Sequence, residues 1–221
     1  MAVLGVDGWR GRWVGALLEG RSVTLLDLAD VPAVLAVPDV ELIGIDMPIG
    51  LSDDGPRACD IEARRRLGRA GSSVFPAPLR VVLACADYPT ACEESRRASG
   101  KALSVQTWNL VPAIRALDDA LGDEPAEHVR EVHPELAFRA LDDRVESPKA
   151  SARGLAQRLR ALQPVMDVLD ALAVAPPGVP VVDALDACAA AWSARRQADG
   201  RDECVGNGAV DSRGRPMRIC W

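Results

Sequence analysis

The sequence predicts an α/β fold built on a mixed sheet, and three observations predict it. Short apolar segments crowd the first forty-odd residues and are separated by Gly-rich turns. Helical periodicity takes over further along the chain. Two of the apolar segments, AVLGVD and ELIGID, end in an aspartate followed by turn residues. A length of 221 residues suits a single domain with one core.

The elements follow in order. Residues 2–7 read as a strand, and Gly8 to Gly11 as a tight turn. Residues 12–18 and 22–28 read as two further strands, with Glu19-Gly20 between them, completing an antiparallel meander. Residues 31–37 read as a short helix. Residues 41–46 read as a buried strand, and the helical crossover predicts that it runs parallel to the first. An insertion is expected over about 52–128. Within it, Pro56 and Gly68 bracket a helix over 56–67. The prolines of SSVFPAP force residues 72–78 to be extended. Leu110, Ile114, Leu117 and Leu121 repeat at helical spacing, so a helix covers about 107–121, with Pro112 in its first turn. Beyond the insertion, residues 130–133 read as a strand, and 151–162 and 183–197 as helices. The stretch 206–221 reads as loop and hairpin, turning near Gly214. Three strands, helix, strand, insertion, strand, helices is an order compatible with a ribonuclease H-like topology.

Composition narrows the function. Hydrophobic residues make up 48% and charged residues 26%, ordinary for a globular protein. No apolar run is long enough to span a bilayer, and the N-terminal residues lack the pattern of a signal peptide. The six cysteines form no CxxC pair, and only His128 and His133 accompany them, which argues against structural zinc. They are expected to be reduced and the protein cytoplasmic. A net charge of -6 excludes a whole-chain basic footprint for nucleic acid. A local one exists, because six arginines between Arg57 and Arg80 face only Asp60 and Glu62. That cluster reads equally well as a phosphate-steering patch or as a solvated helix face.

The chemistry concentrates in acids. Asp7 and Asp46 would sit at the carboxyl edge of the sheet, where open α/β sheets bind ligands. Like charges about 4 Å apart repel by roughly 4 kcal/mol at an effective dielectric of about 20, so such a pair calls for a cation or a shared proton. Magnesium or manganese is the natural cation for oxygen ligands. Asp183 and Asp186 share one helix face at i, i+3 spacing. Helix capping is their alternative role. Glu131, His133 and Glu135 alternate, so on a strand they would face one side. GVDGWRGRWV is compatible with a phosphate-cradling loop. Arg64, Ser73, Arg80, Lys101 and His133 are candidate substrate contacts.

The segments GVDGWRGRWVGA, IGIDMPIGL, RACDIEARRRLG, SSVFPAPLR, GKALSVQTWNLVPAIR, EVHPELAF and DALDACAAAW together resemble the domain of unknown function 429 family, in the family's order and over about residues 3–221. The resemblance implies a ribonuclease H-like fold and a nuclease. It implies Asp7 as the first-strand acid, Asp46 as the fourth-strand acid and Asp183 or Asp186 as the final-helix acid. It assigns Glu131 and Glu135 to its HPE motif. The expected activity is metal-dependent phosphodiester cleavage, with magnesium or manganese on Asp7, Asp46 and Asp186 and nucleic acid or another phosphoester as substrate. Two alternatives stand beside it: an ATP-dependent phosphotransferase of the actin and sugar-kinase type, and a non-catalytic binding module that keeps the fold.

Overall fold

The computed structural model describes residues 1–123 and 127–221. In chain order the elements are β1 (Ala2–Trp9), β2 (Arg12–Glu19), β3 (Ser22–Leu28), α1 (Val31–Leu35), β4 (Val40–Ile45), α2 (Ala58–Leu67), α3 (Tyr88–Ser99), α4 (Val105–Leu121), β5 (Val129–Glu131), α5 (Pro134–Leu141), α6 (Ala152–Leu162), α7 (Val168–Ala173), α8 (Val181–Ala198), β6 (Cys204–Val205) and β7 (Ile219–Cys220). The chain divides into two compact units. The first holds Met1–Met47, Glu127–Glu203 and Cys220–Trp221, and the second Pro48–Ala126 and Cys204–Ile219. The insertion expected over about 52–128 thus falls almost wholly in the second unit, together with the C-terminal hairpin.

The first unit carries a five-stranded sheet in the order β3-β2-β1-β4-β5. β1, β2 and β3 are antiparallel, whereas β4 runs parallel to β1 and β5 parallel to β4. Helices flank this mixed sheet, and the fold is ribonuclease H-like. The β1–β2 connection is tighter than the expected Gly8–Gly11 turn. β1 continues to Trp9, and only Arg10 and Gly11 turn, both at positive φ (48° and 76°). That is the two-residue hairpin geometry that matches strand twist. Gly8 therefore lies in the ladder, opposite Trp13, and not in an open phosphate-cradling loop.

One face of the sheet is shaped for α8. Gly5 on β1 and Gly44 on β4 lie side by side in register. A Cβ on Gly5 would stand 2.0 Å from the Ala191 nitrogen, and one on Gly44 2.7 Å from the Ala190 oxygen. Ala184, Ala187, Ala190, Ala191 and Ala194 of α8 are fully buried, so small residues on both sides let the backbones meet. Gly5→Ala is expected to destabilise the protein by about 2–3 kcal/mol, because α8 can make room only by moving as a whole. Urea denaturation checks this, and a change below about 0.5 kcal/mol would contradict the close fit.

The second unit packs Leu79, Val82, Cys85, Ala91, Cys92, Leu103 and Val111 into a core of its own. Asp118 accepts from Arg80, Arg213 and Arg215, and Asp211 accepts from Arg80. The buried Arg57–Asp60 pair, at 2.5 Å, anchors the start of α2.

Several boundaries differ from expectation. Arg57 takes the N-cap position of α2, so Pro56 lies outside the helix. Residues 68–73 coil into 3₁₀ turns, and only the stretch from Val74 onward is extended, where the prolines act. α4 begins at Val105 under a Ser104 cap, which puts Pro112 well inside the helix instead of in its first turn. β5 ends at Glu131, because Pro134 opens α5. Cys59, Cys85, Cys92 and Cys188 are buried free thiols as expected, but Cys204 and Cys220 are disulfide-bonded. The strands that carry those two, β6 and β7, form one small sheet. Among the described residues no helix is long and apolar enough to cross a membrane.

Candidate metal centre

Strand alternation decides which acids can meet. Asp7 follows Gly5 by two residues on β1, and Asp46 follows Gly44 by two at the end of β4. Both therefore point to the face that α8 covers. α8 brings its own acids to that face. Its N-cap position is Pro180, so Asp183 stands in the first turn and Asp186 in the second, and neither caps the helix. The capping alternative for these two acids therefore falls.

The four acids share one electrostatic neighbourhood. Asp7 is 9% exposed, and its carboxyl is held well above the usual range, first by burial and then by Asp46 and Asp186, with Asp183 adding to them. Desolvation raises the Asp46 carboxyl as well. His133 and Lys149 oppose that rise, and Glu135 adds to it. Asp186 is 2% exposed and pushed up to about 6 by burial, despite Lys149, with Asp46 and Glu135 adding to the rise. Burial also raises Asp183. The Asp7 carboxylate accepts from the Gly8 N–H at 2.9 Å.

Lys149 is the residue that sequence reasoning missed. It lies in the loop between α5 and α6, and its ammonium donates to Asp186 Oδ2 at 2.6 Å. Burial works against its charge, but Asp186, Asp7 and Asp46 outweigh that cost and hold its pKa up. The other Asp186 oxygen, Oδ1, is buried and has no hydrogen-bond partner among the described residues.

Glu131 and Glu135 do not share a face as expected. Glu131 pairs in register with Ile45, so it lies on the face opposite Gly44 and Asp46. Glu135 sits in the first turn of α5, where Pro134 ends the extended backbone. Its carboxylate accepts from Arg158 at 2.6 Å, and both groups are buried. Arg158 also donates to the Ser147 carbonyl at 3.1 Å, tying this pair to the loop that carries Lys149. His133 occupies the N-cap position of α5, beside Asp46.

The remaining candidates belong to the second unit, where their polar atoms serve the local fold. The Arg80 guanidinium is shared between Asp118 and Asp211. Arg64 donates to the Val74 carbonyl at 2.6 Å, and Ser73 Oγ to the Ala70 carbonyl at 2.8 Å. Lys101 is exposed.

The donor set fits a hard divalent ion. Asp7, Asp46 and Asp186 offer oxygen only, which suits magnesium or manganese. An acceptor as deeply buried as Asp186 Oδ1 is costly without a donor or a cation. The acids are not drawn into a tight cage, however. Among the described residues, no three of them bring ligand oxygens within 4.8 Å of one another. The Lys149 ammonium supplies positive charge among them.

Fold and cluster together define a ribonuclease H-like α/β protein with an acidic centre where the parallel strands β1 and β4 end beneath α8. The chain belongs to the family described as Protein of unknown function (DUF429), whose model matches residues 5–210. Comparisons with curated proteins and with solved structures give no significant match.

Proposed function

We propose that this protein is a metal-dependent nuclease acting through the Asp7, Asp46 and Asp186 centre. One observation carries the reading. A buried carboxylate oxygen without a hydrogen-bond donor among the described residues, Asp186 Oδ1, lies in a neighbourhood where Asp46 raises the proton affinity of both Asp7 and Asp186, and Asp186 raises that of Asp7. Such crowding is unfavourable unless a cation offsets it. Magnesium or manganese, when bound, would activate water and stabilise the leaving oxygen of a phosphodiester.

The chain's own residues do the rest. Asp7 and Asp46 hold the centre on the sheet, and Asp186 closes it from the helix. Asp183, in the first turn of α8, and Glu135 add negative field, and His133 stands beside Asp46 for proton movement. Arg80, Arg64 and Ser73 are engaged locally within the second unit, whereas Lys101 is exposed there. Nucleic acid is the substrate class proposed, and the cytoplasm the compartment. The four buried thiols fit a reducing setting, whereas the disulfide-bonded Cys204 and Cys220 pull against it.

Lys149 favours a second reading, a non-catalytic module in which its ammonium takes the place of a metal ion at Asp186. A hydrolysis assay separates the two. Labelled single- and double-stranded nucleic acids should be cleaved with manganese and left intact with chelator. A purified, folded protein inert on every substrate with manganese would leave the second reading.

A further inference from the structure

Lys149 sits in a position that a structural ion pair does not require. The chain has two lysines, Lys101 and Lys149, against its 26 basic residues in all. Four other buried carboxylates are paired with arginine: Asp60 with Arg57, Glu135 with Arg158, Asp118 with Arg80 and Arg215, and Asp211 with Arg80. Arginine locks such pairs through a planar fork, whereas lysine supplies a compact point charge on a flexible stem. The one carboxylate cluster proposed to hold metal is met by the flexible cation.

The backbone beside that cation is fixed while its side chain is half-exposed. Arg158 donates to the Ser147 carbonyl at 3.1 Å. Ser151 Oγ donates to the Pro148 carbonyl at 2.7 Å and accepts from the Gly154 N–H at 3.0 Å. Gly154 allows the Pro148 carbonyl in so close that a Cβ there would stand 2.1 Å from it. The residues just before and after Lys149 are thus pinned. The Lys149 side chain is 47% exposed, against 2% for Asp186, so it can swing toward solvent without disturbing the core.

We propose that Lys149 is a tethered counter-cation that competes with a divalent ion for Asp186. The inference rests on the metal-centre reading above and deepens it. The ammonium holds the acids together when metal is scarce and is displaced from Asp186 Oδ2 when metal binds. Magnesium or manganese must then overcome both the lysine's attraction to Asp186 and its repulsion of the incoming ion. The centre therefore loads only at raised metal concentration, and Lys149 sets that threshold.

Calorimetric titration of the metal-free protein with manganese chloride tests this. Lys149→Met should bind manganese about tenfold tighter or more than the parent. Lys149→Arg, which keeps the charge, should stay near the parent. The Lys149→Met chain should also melt lower than the parent in chelator and gain more from manganese. If the parent binds manganese and Lys149→Met binds it equally or less tightly, the competition is disproved and the metal centre stands. If no chain binds manganese, both ideas fall together. Binding by Lys149→Met alone would uphold the competition and end the nuclease reading for the native chain. Should Lys149→Met fail to fold, the parent gives the answer through its ¹⁵N ammonium resonance. Magnesium should abolish the slow-exchanging Lys149 signal, and a signal unchanged at saturating magnesium would disprove the displacement.

Discussion

Asp7→Asn is expected to abolish manganese-dependent hydrolysis while making the metal-free protein more stable. The two effects have one cause. Asp7 is buried on the strand that faces α8, and its charge is opposed by burial and by Asp46 and Asp186. Asparagine has the same shape and keeps an oxygen for the Gly8 N–H. It loses the negative charge that a divalent ion needs. A bound metal contributes several kcal/mol to the transition state, so the loss in kcat/KM should be about 10³-fold or more. Without metal, removing one of several crowded acids relieves repulsion, and Tm in chelator should rise. A variant crippled by misfolding would lose activity and stability together. Hydrolysis equal to that of the parent would remove Asp7 from the mechanism.

The second large effect concerns pH. The Asp186 carboxyl is raised to about 6 in the folded protein, from an ordinary value of 3.8. The folded state therefore holds this proton more tightly than the unfolded chain does. The resulting stabilisation is complete below about 3.8 and is lost as pH rises through about 6. Its full size is about 3 kcal/mol. In chelator, the parent should lose most of that stability, about 2 kcal/mol, relative to Asp186→Asn between pH 4 and pH 7.5. Urea denaturation of both chains across this range reads the difference directly, so that the other titrating groups cancel. Manganese at pH 7.5 should restore the parent and leave Asp186→Asn unchanged. Parallel pH profiles would mean that burial and crowding at Asp186 are not as described.

Much of the sheet was legible in the sequence because its signals are local. The strand over Ser22–Leu28 was read to the residue, and the strand ends at Asp7 and Asp46 were close enough to place both acids at the sheet edge. The helices that escaped carried signals of their own. Asp87 caps α3, with Pro89 behind it and Gly100 closing it in the left-handed conformation. Pro134 is a helix-start residue, and reading through it as strand is what put Glu131 and Glu135 on one face. Three of the motifs that make the family recognisable serve as scaffold within the second unit. Asp60 of RACDIEARRRLG accepts from the Ala77 N–H of SSVFPAP at 2.9 Å, and Thr107 of GKALSVQTW donates to its Pro76 carbonyl at 3.2 Å.

Lys149 was not legible by pattern, because its partner is 37 residues away on another element. No periodicity links SPKAS to DALDAC. The available hint was compositional: a chain that relies on arginine for nearly all its cations keeps a lysine there. The orphaned Asp186 Oδ1 is likewise a property of packing alone.

The most direct measurement is a crystal of the protein soaked in manganese, with the ion located by its anomalous scattering. A peak is expected in contact with Asp7, Asp46 and Asp186, including the Oδ1 atom that has no hydrogen-bond partner among the described residues, with the Lys149 ammonium withdrawn. A map with no peak at these carboxylates, and with Lys149 still bound to Asp186 at high manganese, would contradict the proposed metal centre.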